Sequence, residues 1–194
     1  SFQDGRLPVP PMQRFDKIAL AFLLVSLIAW VLLPGSVVTG VAMLVTGLLH
    51  TIRLLRWTGY RTYREPLVLV LHVGYAFLPL GALAMGAETL APGPLSMAAA
   101  QHLWMGGAIG LMTLAVMTRA TLGHTGQALS AGAGTVAIYS ALVLAVLARV
   151  AAGAWPGEAA ILHSVSGLAW VAAFAGFAVL FGRLLLWRPP AKRL

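Results

Sequence analysis

Cysteine is absent from the 194 residues, which removes disulfides, iron–sulfur clusters and thiolate-bound metals from consideration. Any metal held by this chain must use His, Met, Tyr or carboxylate donors. Charge is almost as scarce. Asp, Glu, Lys and Arg together make up 9% of the residues, against roughly a quarter in a soluble domain. The five carboxylates, Asp4, Asp16, Glu65, Glu88 and Glu158, fall in loops or at the edges of apolar runs, which gives little support to a membrane hydrolase or an acid-lined proton path. No Ser–His–Asp set, HExxH helix, Walker loop or dinucleotide fingerprint occurs. The opening residues also do not read as a signal peptide. The chain opens SFQDGRLPVPPMQRFDK, polar and proline-rich, on a residue other than methionine. A processed chain or a piece of a longer one would look like this, and a piece is the expectation.

What is present is apolar: 60% of the residues are hydrophobic, gathered in long uncharged runs. That pattern predicts an all-α, polytopic transmembrane helix bundle of about six spans. The runs cover approximately 15–33, 36–57, 66–87, 96–118, 134–152 and 159–187, each close to the ~20 residues that cross a bilayer. Residues 1–17 read as a tail, with Pro8, Pro10 and Pro11 against regular structure, and 188–194 as a basic C-terminal tail. Pro34-Gly35 ends the first run, and Pro66 occupies the favoured first turn of the third.

The formal net charge of +8 does not point to nucleic acid, because the basic residues lie between the apolar runs rather than on one patch. Six spans place twelve of the thirteen basic residues on one side and leave Arg149 alone on the other. The asymmetry predicts cytoplasmic termini, with the lipid bilayer as a partner. Five or seven spans would scatter the charges.

Four histidines lie inside the runs. His50 and His72 sit roughly 10 Å in from the cytoplasmic edge at 1.5 Å per residue. His102 and His163 share a second level near the outer face. Two histidines at matching depth on neighbouring helices are what bis-histidine haem b ligation requires, and imidazole and thioether also suit copper. Helix faces agree with this. Gly40, Met43, Gly47 and His50 form one stripe, and His72, Tyr75, Ala76 and Pro79 another, so Tyr75 could hydrogen-bond a ligand near His72. His163, Ser166, Gly167 and Trp170 share a face, as do His102, Gly106, Gly110 and Thr113 in an α-helical register. Spans one and five show no such face and read as lipid-facing walls.

A plainer reading stands beside each of these. Membrane histidines also serve as interhelical hydrogen-bond partners, and small residues four apart are often close-packing sites. Met97, Met105 and Met112 read as packing residues, and Arg119 as an anchor at a helix C-terminus. His124 lies just beyond the fourth span, in a Gly123-His124-Thr125-Gly126 turn with Gly123 as the helix cap.

Two segments carry a resemblance. HLWMGGAIGLMTLAVMTRATLGHTG, from His102 to Gly126, and RWTGYRTYREPLVLVLHVGYAFLPLG, with His72, Gly74 and Tyr75, resemble the NnrS family over about residues 48–129. These are haem- and copper-containing bacterial membrane proteins of the nitric-oxide response. Members have about twice this length and around twelve spans, so the resemblance places this chain at the C-terminal half, with the N-terminal half or another chain as a partner. The final LLLWRPPAKRL matches the family's end only in part.

The resemblance implies haem b and copper as cofactors, nitric oxide as the small-molecule ligand and protection against nitrosative stress as the role. It carries the family's histidines over to His72, His102 and His124 as metal ligands, and to His50 and His163, with Tyr75, as further cofactor-binding residues. A transporter or channel with a histidine-lined path for protons or a small solute is the alternative. A cofactor-free scaffold subunit is a third.

Overall fold

A computed structural model describes residues 12–93 and 95–186. The expected tails at 1–11 and 187–194 lie outside them. Among the described residues there are six helices long and apolar enough to cross a membrane. They are α1 (Arg14–Leu32), α2 (Val37–Arg56), α3 (Pro66–Leu90), α4 (Met97–His124), α5 (Ala133–Ala154) and α6 (Ala159–Leu186). No strand occurs among the described residues. The chain is an all-helical membrane protein.

Local chemistry starts the helices where the sequence places them. The Ser36 hydroxyl accepts from the Thr39 N–H at 3.1 Å to cap α2, and Ser96 does the same for Ala99 at the start of α4. Pro66 opens α3 at a position whose N–H has no helical partner in any case. The α4 helix runs six residues past the expected end at 118, so His124 closes its last turn instead of lying in a separate turn. Its cap is not Gly123. Gly126 takes the left-handed conformation at φ +68°, with Gln127 N–H on Leu122 O at 2.9 Å and Gly126 N–H on Gly123 O at 3.3 Å. That pair of bonds is a Schellman closure, and it needs the glycine two residues after the helix ends.

Glycines set the spacing between helices. A Cβ on Gly47 would lie 2.5 Å from Leu83 Cγ, and one on Gly86 would lie 2.8 Å from the Gly40 carbonyl. Those contacts hold α2 and α3 antiparallel at close range. Hydroxyls join α1 to α2: Ser26 and Thr46 share a 2.7 Å hydrogen bond, and the Thr39 hydroxyl donates to Leu33 O at 2.8 Å. Half of the most apolar stretch of α4 is buried, against 17% for α1, so α4 is central and α1 peripheral.

One expectation about walls is corrected. The fifth span is not a lipid-facing wall. Ile138, Tyr139, Leu142, Ala145 and Val146 of α5 are all buried in the main core. The first turns of the sixth point outward instead: His163 is exposed and nothing stands within 4 Å of a Cβ on Gly167, although Ala169, Ala173, Phe177 and Phe181 of the same helix are buried in the core. Both runs are uniformly apolar, and uniform apolarity does not say whether lipid or protein covers a face.

The α4 helix also departs from α-helical register. Leu103–Gly110 is a π-helical stretch that begins directly after His102. Its i→i+5 bonding changes the faces expected from i, i+4 spacing. Gly106 and Gly110 receive the Trp170 ring of α6, Thr113 is exposed, and His102 faces α5 instead.

Candidate functional site

The antiparallel order of six crossings separates two faces. Arg14, Lys17, Arg53, Arg56, Arg61, Arg64, Arg119 and Arg183 lie at or near the ends of helices or in connections on the face where α1 begins, the basic face. Arg149 lies at the opposite face. Each face holds a polar cluster built around a histidine.

At the basic face, His50 is fully buried and both of its ring nitrogens are engaged. Nε2 lies 3.0 Å from the Ala19 carbonyl, so it carries the proton and donates. Nδ1 is then the acceptor, 2.5 Å from the Tyr75 hydroxyl. Arg53 donates from Nη1 to the same hydroxyl at 2.8 Å, and from Nε to Asp16 Oδ1 at 3.1 Å. Asp16 also accepts the Gln13 N–H at 3.0 Å and lies 3.8 Å from an Arg56 amino group. The chain Asp16–Arg53–Tyr75–His50–Ala19 thus ties α1, α2 and α3 together. Arg53 lies over the rings of Trp57 and Tyr75, at 4.9 and 5.5 Å to the centroids, which suits a guanidinium near the membrane surface.

Sequence reasoning placed Tyr75 beside His72, sharing a ligand. The structure pairs it with His50. His72 sits against Trp57 with ring centroids 6.1 Å apart, and Trp57 is 4.5 Å from Tyr75. The His72 Nδ1 donates to the Val68 carbonyl at 3.1 Å. That bond fixes the tautomer and leaves the Nε2 lone pair without a protein partner among the described residues. A Cβ on Gly59 would lie 2.5 Å from His72 Cδ2, so the glycine makes room for the ring.

At the opposite face, His102 Nδ1 donates to the Ala98 carbonyl at 2.6 Å, and its Nε2 accepts from Arg149 Nε at 3.2 Å. His163, at the same level, is exposed and makes no hydrogen bond among the described residues. His124 is exposed at the basic face. The five histidines therefore divide into two kinds. His50 and His102 have both nitrogens committed, while His72, His163 and His124 have a nitrogen available.

Four participants were not picked out from the sequence as site residues. Asp16 was assigned to a span edge with no role, but its carboxylate turns inward and is 7% exposed. Arg53 and Arg56 were read as topology signals, although Arg53 stands three residues after His50, on the same helical face. Arg149 carried a usable signal, since it alone stood on its side of the membrane.

Among the described residues no group of three or more His, Cys, Asp or Glu gathers to hold a metal ion. A groove of about 420 Å³ runs between α3, α4 and α5, lined by Pro66, Val70, Val73, Leu111, Tyr139 and Leu147 among others, and contains no histidine.

Six helices long and apolar enough to cross a membrane, with a histidine-centred polar contact toward each end of the bundle, define an all-helical membrane protein. The sequence matches the family described as NnrS protein over residues 1–189. The chain belongs to the NnrS family. No functionally described protein and no solved structure matches it.

Proposed function

We propose that this chain is a haem-binding membrane protein of the nitric-oxide response, and that His72 is the residue that would hold the haem iron. One observation carries this reading. The Nδ1–H of His72 is fixed on the Val68 carbonyl while its Nε2 lone pair is left available, which is the second-shell arrangement a metal-ligating histidine needs. Held at His72, a haem would supply the iron chemistry that binds nitric oxide. The protein's own residues orient the imidazole through Val68, flank it with Trp57 and keep Tyr75 and His50 in a separate bonded pair.

Each available histidine would hold a haem iron singly, and the donor set does not fit a copper ion held by this chain's described residues alone. Copper enters this reading only with donors from another chain or half, and no step is derived through it. The twelve-to-one distribution of basic residues supports cytoplasmic termini and the bacterial inner membrane as the location. The transporter alternative has less behind it, because the bonded chain through Tyr75 and His50 ends on the Ala19 carbonyl.

The test is a reduced-minus-oxidised spectrum of the purified full chain, before and after nitric oxide. His72→Ala is expected to lose most of the haem b signal, whereas His50→Gln keeps it. A folded protein free of haem overturns the proposal, as does a His72→Ala variant with full haem content.

A further inference from the structure

Arg149 differs from every other basic residue described. It lies on the opposite face, five residues before the end of α5. It makes no ion pair among the described residues, and its protein hydrogen bond there is the one from Nε to His102. The two carboxylates at that face leave it alone: Glu88 accepts the Gly93 N–H at 3.1 Å, and Glu158 is exposed on a short turn before α6.

The arrangement is built by packing. Gly153 stands one turn beyond Arg149, and Ala99 stands one turn before His102. A Cβ on Gly153 would lie 2.5 Å from Ala99 Cβ and 3.3 Å from Ser96 Oγ. This close approach of α4 and α5 brings the two polar side chains within bonding distance. The Ala98 carbonyl fixes His102 as an acceptor at Nε2, and that acceptor fixes the guanidinium through Nε. Both terminal amino groups of Arg149 then remain without a protein acceptor among the described residues. A permanently charged guanidinium with a free two-pronged edge matches a planar pair of anionic oxygens.

We infer that Arg149, held by His102, is the binding group of an oxyanion site at the face opposite the basic loops. It takes a phosphate or carboxylate, carried either by a lipid headgroup or by a small soluble ion. His102 is then a positioning residue, because its lone pair is committed to Arg149. The inference is independent of haem.

The test uses the full chain in two settings. Native mass spectrometry from nanodiscs containing phosphatidylglycerol reads retained lipid. Thermal unfolding in phosphatidylcholine nanodiscs, titrated with inorganic phosphate or acetate, reads soluble anions. Arg149→Gln is expected to weaken whichever response the unsubstituted protein shows by about tenfold to a hundredfold, the range of one or two charge-assisted hydrogen bonds. Lipid retention without an anion response assigns the headgroup, and an anion response in phosphatidylcholine assigns the soluble ion. Arg149→Lys keeps the charge and loses the Nε contact, so it should bind weakly while retaining its helical circular dichroism. Equal behaviour of Arg149→Gln and the unsubstituted protein in both settings overturns the site. Full binding by Arg149→Lys overturns the positioning role of His102.

Discussion

Gly107→Val is expected to be among the most destabilising single changes in this protein. Gly107 lies in the π-helical stretch of α4 against Phe77 of α3, and a Cβ there would come 2.7 Å from Phe77 Cβ. The atom it meets is at the root of a buried side chain, 5% exposed, not at a flexible tip. Relief requires α3 and α4 to move apart. Neighbouring contacts oppose that movement: Trp104 Nε1 donates to Leu78 O at 2.6 Å, and Gly74 accommodates Met112. Overpacking of this kind costs about 1–3 kcal/mol. Reversible unfolding in mixed micelles of increasing SDS fraction measures it. Phe77→Ala in the same chain should restore part of the loss, and no recovery in the double variant would place the strain elsewhere.

The second large effect is expected at His50. Its side chain is fully buried, and its two bonds reach different helices, Ala19 on α1 and Tyr75 on α3. His50→Ala opens a cavity and removes the acceptor of the Tyr75 hydroxyl, which Arg53 continues to approach as a donor. A loss of about 2–4 kcal/mol follows from cavity formation plus lost hydrogen bonds. The same micelle titration checks it. His50→Gln, which keeps one acceptor and one donor, should recover much of the loss. If His50→Ala unfolds like the unsubstituted protein, the three-helix polar chain is not what joins α1 to the bundle.

The number of long apolar helices and where they start were legible because hydrophobic length and Ser or Pro start signals are local properties, whereas the C-terminal ends of α3 and α4 run past the expected 87 and 118. The stripe Gly40, Met43, Gly47 and His50 was also legible as a face, and all four residues are buried. What covers that face was not, since a stripe of small residues says that something approaches closely without saying what. Tyr75 shows the limit most clearly. A helical wheel groups it with His72 three residues away, yet its hydroxyl reaches across to α2. The partner of a long polar side chain depends on the helix opposite. Asp16 belongs to the same class, as its partner Arg53 is 37 residues away.

The π-helical stretch was hidden for a different reason. No cap or spacing signature marks i→i+5 bonding, and a run of small residues permits it without requiring it. Its consequence concerns chain length. A π turn accommodates one residue more than an α turn, so Leu103–Gly110 is where α4 tolerates shortening. Removing one residue there lets the helix return to α register while His102 stays opposite Arg149 and Leu114 stays in the core. The same deletion among Leu111–Thr118 has no surplus to absorb it and turns half of α4 by about 100°, one residue's rotation on a 3.6-residue helix. In this protein, a one-residue deletion in α4 is expected to leave thermal stability nearly unchanged only within the two turns beside the histidine.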